Sequence, residues 1–154
     1  MATIIAKFLS LIQPDQIFMG KKDYQQYLIV KRLALDLNMD VAVEGVETHR
    51  ESDGLAMSSR NVHLKGQART KAPMIHQELS KVAAKVATKD FDEVANQIKQ
   101  SKQKLTQEGF DVEYLSVCDA LTLKAITTKF SESIVVLCAA KIGTTRLIDN
   151  LECV

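Results

Sequence analysis

The sequence lacks an excess of either charge, a long apolar run and any closely spaced pair of cysteines. Its 154 residues include 20 Lys and Arg against 19 Asp and Glu, and this balance does not favour binding to nucleic acid or to an anionic membrane. No apolar run approaches the roughly 18 residues that a membrane-spanning helix needs. The three cysteines, Cys118, Cys138 and Cys153, form no CxxC pair, so we expect buried or incidental thiols in a reducing cytoplasm rather than a zinc or dithiol site.

The stretch "MATIIAKFLSLIQPD" at the start of the sequence has apolar residues at helical spacing. Lys7 interrupts the run, and neither a basic segment before it nor a small-residue cleavage site after it suggests a signal peptide. We therefore predict a core helix over residues 3–13, which Pro14 ends because proline disfavours helix in the residue before it.

The next elements follow the pattern of a βαβ unit. The apolar run "QIFM" (residues 16–19) predicts a buried strand that ends at Gly20, and Asp23 can cap a following helix. "VAVEGVE" (residues 41–47) predicts a second strand. Strands joined by a crossover helix pair in parallel, so this part of the chain has α/β character.

The rest of the sequence has α+β character. Apolar residues at helical spacing over residues 66–108 predict two helices, broken near "TKDFD" at 88–92. Three segments rich in β-branched residues follow, "FDVEYLSVCD", "SIVVLCAAKIG" and "TRLIDNLECV". Gly143, Thr144 and Thr145 suit a hairpin turn between the last two.

We place a domain boundary at residues 61–66, which gives an α/β domain over 1–62 and an α+β domain over 63–154. The first domain then has only two strand candidates. Two short parallel strands do not make a stable sheet, because such sheets contain several strands and are covered on both faces. Either strands are missing from the N-terminus or another chain supplies them.

A first polar loop, "MGKKDYQQ", follows the first predicted strand. Gly20 lets a ligand approach the backbone, Lys21 and Lys22 add positive charge, and the helix that begins at Asp23 directs its N–H groups to the same place. Ligands of open α/β sheets bind at the carboxyl ends of strands, so this loop suits a phosphate. An ordinary helix start with solvated lysines is the alternative. Gln26 has amide donors and an acceptor for a hydroxyl or carboxylate, or it simply faces solvent.

A second polar loop, "THRESDGLAMSSRN" (residues 48–61), follows the second predicted strand. Ser58 and Ser59 can donate hydrogen bonds to phosphate oxygens, and Arg60 can bind them bidentately or neutralise developing charge. Alone, these residues could equally form a cap before a helical turn. Because two such loops at adjacent strand ends would face one crevice, the pair favours a phosphate site.

The histidines do not predict a metal site. His49 and Arg50 begin the second loop, and neither has metal-ligand spacing with His63 or His76. We expect His63 to be an exposed loop residue and His76 an exposed helix residue.

The two loops, in this order and spacing, resemble signatures of the pantoate–β-alanine ligase family. "GKKDYQQ" matches a family signature that usually has Glu in place of Lys21, "RESDGLAMSSRN" is similar to "READGLAMSSRN", and "IGTTRLIDN" matches a terminal signature. The resemblance runs from Thr3 to about Asn150, which is nearly the whole chain.

The resemblance implies a nucleotide-binding domain of partial Rossmann-like fold, similar to that of class I aminoacyl-tRNA synthetases, followed by a small α+β domain. It implies a cytoplasmic enzyme, usually a homodimer, that uses ATP and Mg²⁺ to convert pantoate into an acyl adenylate. The amine of β-alanine then attacks the adenylate and gives pantothenate. This chemistry depends on positioning and charge stabilisation more than on a protein nucleophile.

In the first loop, the resemblance implies that Gly20, Lys22 and Asp23 hold the ribose and phosphates of ATP, with Lys22 also catalytic. Lys21 departs from the family's glutamate and adds charge near the phosphates. Gln26 matches a glutamine that binds pantoate.

In the second loop, the resemblance implies that Met57, Ser58, Ser59 and Arg60 form a mobile nucleotide-binding lid, the counterpart of the synthetases' KMSKS loop. The last three of these match catalytic positions. His49 departs from a small apolar residue that lies beside adenine, a change that is tolerable where the contact is made by the main chain.

The family's "HxGH" motif, its second pantoate glutamine and its acidic magnesium ligands do not occur before the first loop. We therefore expect Met1 to match an internal methionine and the chain to resemble the C-terminal part of the enzyme, with the magnesium ligands elsewhere and little activity alone. A non-catalytic interaction or dimerisation module derived from that enzyme is the alternative.

Overall fold

The computed structural model describes residues 1–127 and 130–153, and these form two compact units, Met1–Thr48 and His49–Val154. The expected mixed α/β class, with a parallel sheet and a small antiparallel sheet, is confirmed. The units divide before the boundary expected at residues 61–66, because the second polar loop bonds to the last strand of the second unit. The assignment of 1–62 and 63–154 to two functional domains stays a prediction. No helix in the described residues is long and apolar enough to cross a membrane.

The first unit is a βαβ unit preceded by a helix, as predicted. Its elements are α1 (Ala2–Ile12), β1 (Gln16–Gly20), a 3₁₀ turn (Lys21–Asp23), α2 (Tyr24–Asp36) and β2 (Ala42–Val46). The two strands pair in parallel, with Gln16 opposite Ala42 and Gly20 opposite Val46. Both strands therefore end at the same edge of the sheet.

Apolar side chains of the first unit are widely exposed, which contradicts the prediction of a core helix and a buried strand. In α1 only Leu9 is buried, while Leu11 is 82% exposed, and Phe18 of β1 is 65% exposed. The amphipathic helix forms as its spacing predicts, but a sheet of two strands has too little surface to cover it.

The second unit packs two helices on a three-stranded antiparallel sheet. Its elements are a 3₁₀ turn (Ser59–His63), α3 (Gln67–Lys71), α4 (Met74–Val86), α5 (Phe91–Gln107), β3 (Phe110–Asp119), β4 (Ile134–Ile142) and β5 (Thr145–Cys153). The sheet order is β3-β4-β5. All three predicted strands and the predicted helix break are confirmed, and the break contains Asp90, whose side chain caps α5.

The core of the second unit lies between α4, α5 and the sheet. Leu79, Val82, Leu105 and Val136 are each fully buried there, because the apolar stripe of each helix faces the sheet. The predicted hairpin turn is confirmed: Ile142 pairs with Thr145, and Gly143 has a φ of +58° at the first of the two turn positions, where glycine is favoured.

Candidate functional site

The first polar loop leaves β1 at Gly20, where nothing lies within 4 Å of the position that a Cβ would occupy. The φ of Gly20 is −67°, which any residue adopts, so the backbone does not require glycine here. The open space beside the main chain still lets a ligand approach the backbone, as the sequence predicts. Lys21, Lys22 and Asp23 follow as one 3₁₀ turn.

Lys21 crosses to the end of the neighbouring strand. Its Nζ lies 2.6 Å from Oε1 of Glu47, the residue that follows β2. Gly45 makes room for this path, since a Cβ there would lie 2.8 Å from Cε of Lys21 and 3.0 Å from Cζ of Tyr27. Lys21, which stands where the family usually has glutamate, thus has its charge paired by Glu47 within the first unit.

Asp23 is the N-cap residue of α2, as predicted, but its side chain caps no backbone N–H group. Its Oδ1 instead accepts a hydrogen bond of 3.3 Å from Nε2 of Gln26, one turn into the helix. This bond joins a residue assigned to ATP with the residue assigned to pantoate, and both are accessible to solvent.

The second polar loop begins as a small hairpin in the second unit. Arg50 and Ala56 form an antiparallel bridge, the N–H of Met57 donates to the carbonyl of His49 at 2.9 Å, and Gly54 turns the chain with a φ of +91°. His49 thus uses its main chain to close the hairpin, while its side chain is exposed.

Arg50 fastens this hairpin to β5. Its Nη1 and Nη2 donate to the two carboxylate oxygens of Asp149 at 2.7 and 3.0 Å, and to the carbonyls of Gly54 and Asn150 at 3.1 and 3.2 Å. Only 5% of the Asp149 side chain is exposed, so this is a buried bidentate pair. The sequence analysis did not find it, because the partners are 99 positions apart and no local pattern links them.

A second arginine supports the same hairpin from α3. Arg69 donates to Glu51 at 2.6 Å and to Asp53 at 2.5 Å. The hydrogen bond from Arg69 lowers the pKa of Asp53 below its ordinary value. Nδ2 of Asn61 also donates to Glu51, at 3.0 Å. The base of the second loop is therefore fixed by ionic and polar contacts.

The Ser58–Arg60 segment starts a 3₁₀ turn. Oγ of Ser58 accepts a hydrogen bond of 3.2 Å from the backbone N–H of Arg60, so the capping arrangement weighed from the sequence is present. Met57, Ser59 and Arg60 are exposed. Among the described residues the guanidinium of Arg60 has no ion pair, which leaves its donors available to a ligand.

His76 differs from the expectation of an exposed helix residue. It lies in α4 with only a quarter of its side chain exposed, and its Nδ1 is 3.8 Å from Oδ2 of Asp149 without a hydrogen bond. Burial, followed by the charge of Arg50, lowers the pKa of His76, and the charge of Asp149 opposes this shift. His63 is exposed, as expected.

The structure therefore presents each loop within its own unit. Gly20, Lys22, Asp23 and Gln26 lie together on the first unit. Residues 57–60 lie together on the second. Their meeting in one crevice stays a prediction. Within residues 1–127 and 130–153, no group of three or more His, Cys, Asp or Glu side chains is arranged to hold a metal ion.

The three cysteines are free thiols, as predicted. Cys138 is almost fully buried in β4, and burial raises its pKa to about 12. Burial also raises the pKa of Cys118 and of Cys153. These thiols are poor nucleophiles at neutral pH, so they do not contribute a reactive group to either loop.

The family model described as pantoate-beta-alanine ligase matches residues 1–152. The chain is 44% identical over 151 residues to a pantothenate synthetase of Neisseria meningitidis serogroup C, an alignment that covers 98% of this chain and 54% of the relative. It is 43% identical over 150 residues to a pantothenate synthetase of a Bradyrhizobium species, with 97% and 52% covered. The chain thus spans about half the length of the curated relatives it matches.

Solved structures give the same similarity. The pantothenate synthetase of Thermus thermophilus superposes with a TM-score of 0.90 at 36% identity, over 99% of this chain and 54% of that one. A pantoate-beta-alanine ligase of Francisella tularensis, in complex with beta-gamma ATP and beta-alanine, superposes with a TM-score of 0.67 at 27% identity, over 97% and 48% of the two chains.

Proposed function

We propose, from the premise that this chain belongs to the pantoate–β-alanine ligase family, that it supplies the C-terminal part of an enzyme that joins pantoate to β-alanine at the expense of ATP. The observation that carries the proposal is the family match over residues 1–152. Because the chain spans about half of its relatives, the complete reaction requires residues that the other half provides.

The first loop would hold ATP and pantoate. Lys22 would attract the phosphates, with Gly20 and Asp23 at the ribose and phosphates, and Gln26 would bind pantoate. The open space at Gly20 and the solvent-accessible position of Gln26 support these assignments. Lys21 would contribute less charge to the phosphates than its position in the sequence suggests, since Glu47 pairs with it.

The second loop would close over the nucleotide. Ser58, Ser59 and Arg60 would donate to phosphate oxygens as charge develops during adenylation, and such preorganised donors are the main source of catalysis in this type of transfer. Met57 and the main chain of His49 would lie near the adenine. The guanidinium of Arg60 is exposed and has no ion pair within residues 1–127 and 130–153, and the hairpin beside it is anchored by Arg50, which supports this role.

Magnesium would assist the adenylation by neutralising phosphate charge. The described residues of this chain offer no cluster of carboxylates for it, so we assign it no ligand here. The acyl adenylate intermediate, the cytoplasmic location and a homodimeric state belong to the same proposal.

Complementation tests this function. Pantothenate and AMP would be measured with the chain alone, and then with a polypeptide covering the half of the Neisseria relative that the chain does not match. We expect little turnover alone and measurable turnover from the mixture. Arg60→Gln should abolish the recovered activity, whereas Arg32→Gln, which alters an exposed arginine of α2, should not. Robust turnover by the chain alone, or none from the mixture, would contradict the proposal.

Self-association is the second candidate function, and the exposed apolar surface of the first unit favours it. Leu11, Phe18 and Leu35 are each at least 65% exposed, and exposed apolar patches mark interaction sites. In the described part of the chain the outer edges of β1 and β2 pair with no further strand, so they can also accept another strand. Light scattering after gel filtration should show a dimer or larger species that Phe18→Ser weakens, while Leu121→Ser, at an exposed leucine of the second unit, leaves it unchanged. A monodisperse wild-type monomer would exclude this candidate.

A further inference from the structure

His76, near the start of α4, contacts both the hairpin that begins the second polar loop (residues 49–57, the loop hairpin) and the carboxylate that anchors it. A Cβ at Gly54 would lie 3.2 Å from Cδ2 of the imidazole, so the turn of the loop hairpin packs against the ring. Nδ1 of the ring lies 3.8 Å from Oδ2 of Asp149, the oxygen that accepts a hydrogen bond of 2.7 Å from Nη1 of Arg50. The imidazole therefore lies at the point where the loop hairpin is fastened.

The imidazole has a polar atom that the fold leaves unused. Nδ1 is buried and has no hydrogen-bond partner within residues 1–127 and 130–153. A quarter of the His76 side chain is exposed, so the ring can exchange protons with solvent. Both ring nitrogens of a protonated histidine are donors. Nδ1–H would then need a shift of only about 1 Å to reach hydrogen-bonding distance of Asp149.

The cluster is electrically balanced while His76 is neutral. Arg50 and Asp149 together have no net charge, and the Asp149 side chain is 5% exposed. A protonated imidazole would add a second cation beside the same buried carboxylate, and an unbalanced buried charge is unfavourable. His76 is also the third residue of α4, where the helix dipole disfavours a positive charge. Burial and the charge of Arg50 accordingly lower the pKa of His76.

Other titratable groups on the elements around His76 have partners of their own or stay neutral. They are Glu51 and Asp53 of the loop hairpin, which bind Arg69, Glu78 of α4, which binds Lys81 and Ser101, and Cys138 of β4, whose pKa burial raises to about 12 against the charge of Lys102 on α5. Among the described residues, the charges that act on the imidazole are those of Arg50 and Asp149. A change in the protonation of His76 therefore acts directly on the anchor of the loop hairpin.

We propose that His76 is a positioning residue that makes the anchoring of the second polar loop dependent on pH. The neutral imidazole leaves both oxygens of Asp149 to Arg50, and the loop hairpin stays bound to β5. An imidazole protonated from solvent competes for Asp149, weakens its bonds to Arg50 and lets the loop hairpin detach. Residues 57–60 continue from this hairpin and lose their fixed position with it. A resulting loss of nucleotide binding rests on the proposed function, whereas the detachment itself does not.

Hydrogen exchange of backbone amides in the full chain tests the inference. The N–H of Glu51 donates to Leu55 and that of Met57 donates to His49, both at 2.9 Å, so the protection factors of these two amides report detachment of the loop hairpin. We expect both factors to fall between about pH 7.5 and 5.5, by about tenfold at most, which is the limit for a group with an ordinary pKa of about 6.5. At both pH values they should lie below the factors of the buried strand β4, because the opening is local.

The other histidines of the chain, His49 and His63, supply matched controls. His76→Gln cannot take up a proton, so its protection factors in the loop hairpin should change by less than about twofold over the same pH range. His49→Gln and His63→Gln should retain the fall seen in the wild type, since both of these side chains are exposed. A fall that persists in His76→Gln, or that either control abolishes, overturns the inference.

The wild type alone decides the question if His76→Gln does not fold. NMR titration gives the pH midpoint of the His76 imidazole and that of the amide shifts in the loop hairpin. We expect one common midpoint, below about 6.5. Separate midpoints overturn the inference, and so do protection factors equal to those of β4, which would mean that the loop hairpin opens only when the whole unit unfolds.

Ligation by the complementation mixture keeps this inference distinct from the proposed function. Where both hold, KM for ATP should rise more between about pH 7.5 and 5.5 for the wild type than for His76→Gln. Ligation together with exchange that does not depend on His76 rejects the pH-dependent anchoring and leaves the function. Detachment that depends on His76, without ligation from the mixture, rejects the function and leaves the anchoring.

Discussion

Truncation of Arg50 tests whether the buried pair with Asp149 holds the second loop on β5. The Arg50→Ala substitution removes four hydrogen bonds and leaves a carboxylate whose side chain is 5% exposed without its counter-charge. Among the described residues, Asp149 keeps the N–H of Asn150 at 2.8 Å and the imidazole of His76 at 3.8 Å. Removal of one partner from a buried pair costs about 3–5 kcal/mol in free energy of unfolding.

A matched control comes from a more exposed pair on the same sheet. Arg146→Ala breaks a bidentate pair with Glu113, in which the side chains of Arg146 and Glu113 are 43% and 29% exposed. Pairs in contact with solvent contribute much less to stability than buried pairs. Urea unfolding would be followed by circular dichroism. With a slope of about 2 kcal/mol per M, Arg50→Ala should lower the midpoint by about 1.5–2.5 M, and Arg146→Ala should lower it by much less.

The double variant Arg50→Met with Asp149→Leu identifies the cause. If the loss in Arg50→Ala comes from an uncompensated buried charge, replacing both partners by apolar residues should recover most of the stability. Equal losses for Arg50→Ala and Arg146→Ala, or a double variant no more stable than Arg50→Ala, would refute the reasoning. Either result would mean that the hairpin is held by its other contacts, such as those of Arg69.

Three further predictions concern other positions. Burial lowers the pKa of His76 in the folded state, so the unfolded state binds more protons at this residue. The contribution of His76 to stability is therefore complete above about pH 6.5, the pKa in the unfolded state, and is lost as the pH falls through the lower pKa of the folded state. Urea midpoints at about pH 7.5 and 5.5 should therefore differ less for His76→Gln than for the wild type. Iodoacetamide should label the partly exposed Cys153 before the buried Cys138, with mass spectrometry as the readout; the reverse order would contradict the burial. Gly45→Ala places a Cβ 3.0 Å from a tyrosine ring carbon and should lower the melting temperature of the first unit through a loss of about 1–3 kcal/mol, whereas Gly20→Ala, where nothing lies within 4 Å, should not.

Local patterns in the sequence were sufficient for the strands and the long helices, although the short helix α3 was not predicted as a separate element. The strand predicted from "FDVEYLSVCD" is β3 with the same bounds, and the hairpin turn at Gly143 forms where glycine permits a positive φ. These features depend on neighbours in the chain, so a short window contains their cause. The two parallel strands of the first unit were also predicted correctly, because strand candidates can be recognised in short windows of sequence; the expectation that further strands come from elsewhere stays a prediction.

Burial was predicted less well in the first unit, where it depends on more layers than the described residues contain. The helical spacing of α1 was correct, yet Ile4, Phe8, Leu11 and Ile12 are exposed. An amphipathic pattern predicts that the apolar face of a helix can be buried, but burial requires another layer of secondary structure packed against that face. Asp23 also departs from its prediction, because it occupies the cap position but bonds to a side chain instead of a backbone N–H group.

The sequence by itself therefore determined the order of the helices and strands, the two polar loops and the resemblance to a ligase family, since all three are encoded in residues close together in the chain. Only the tertiary structure decided which charges pair and which remain free. Lys21 is paired by Glu47 and Arg50 by Asp149. The partners in these two ion pairs lie 26 and 99 positions apart, so folding, and no local pattern, brings their charged atoms within hydrogen-bonding distance.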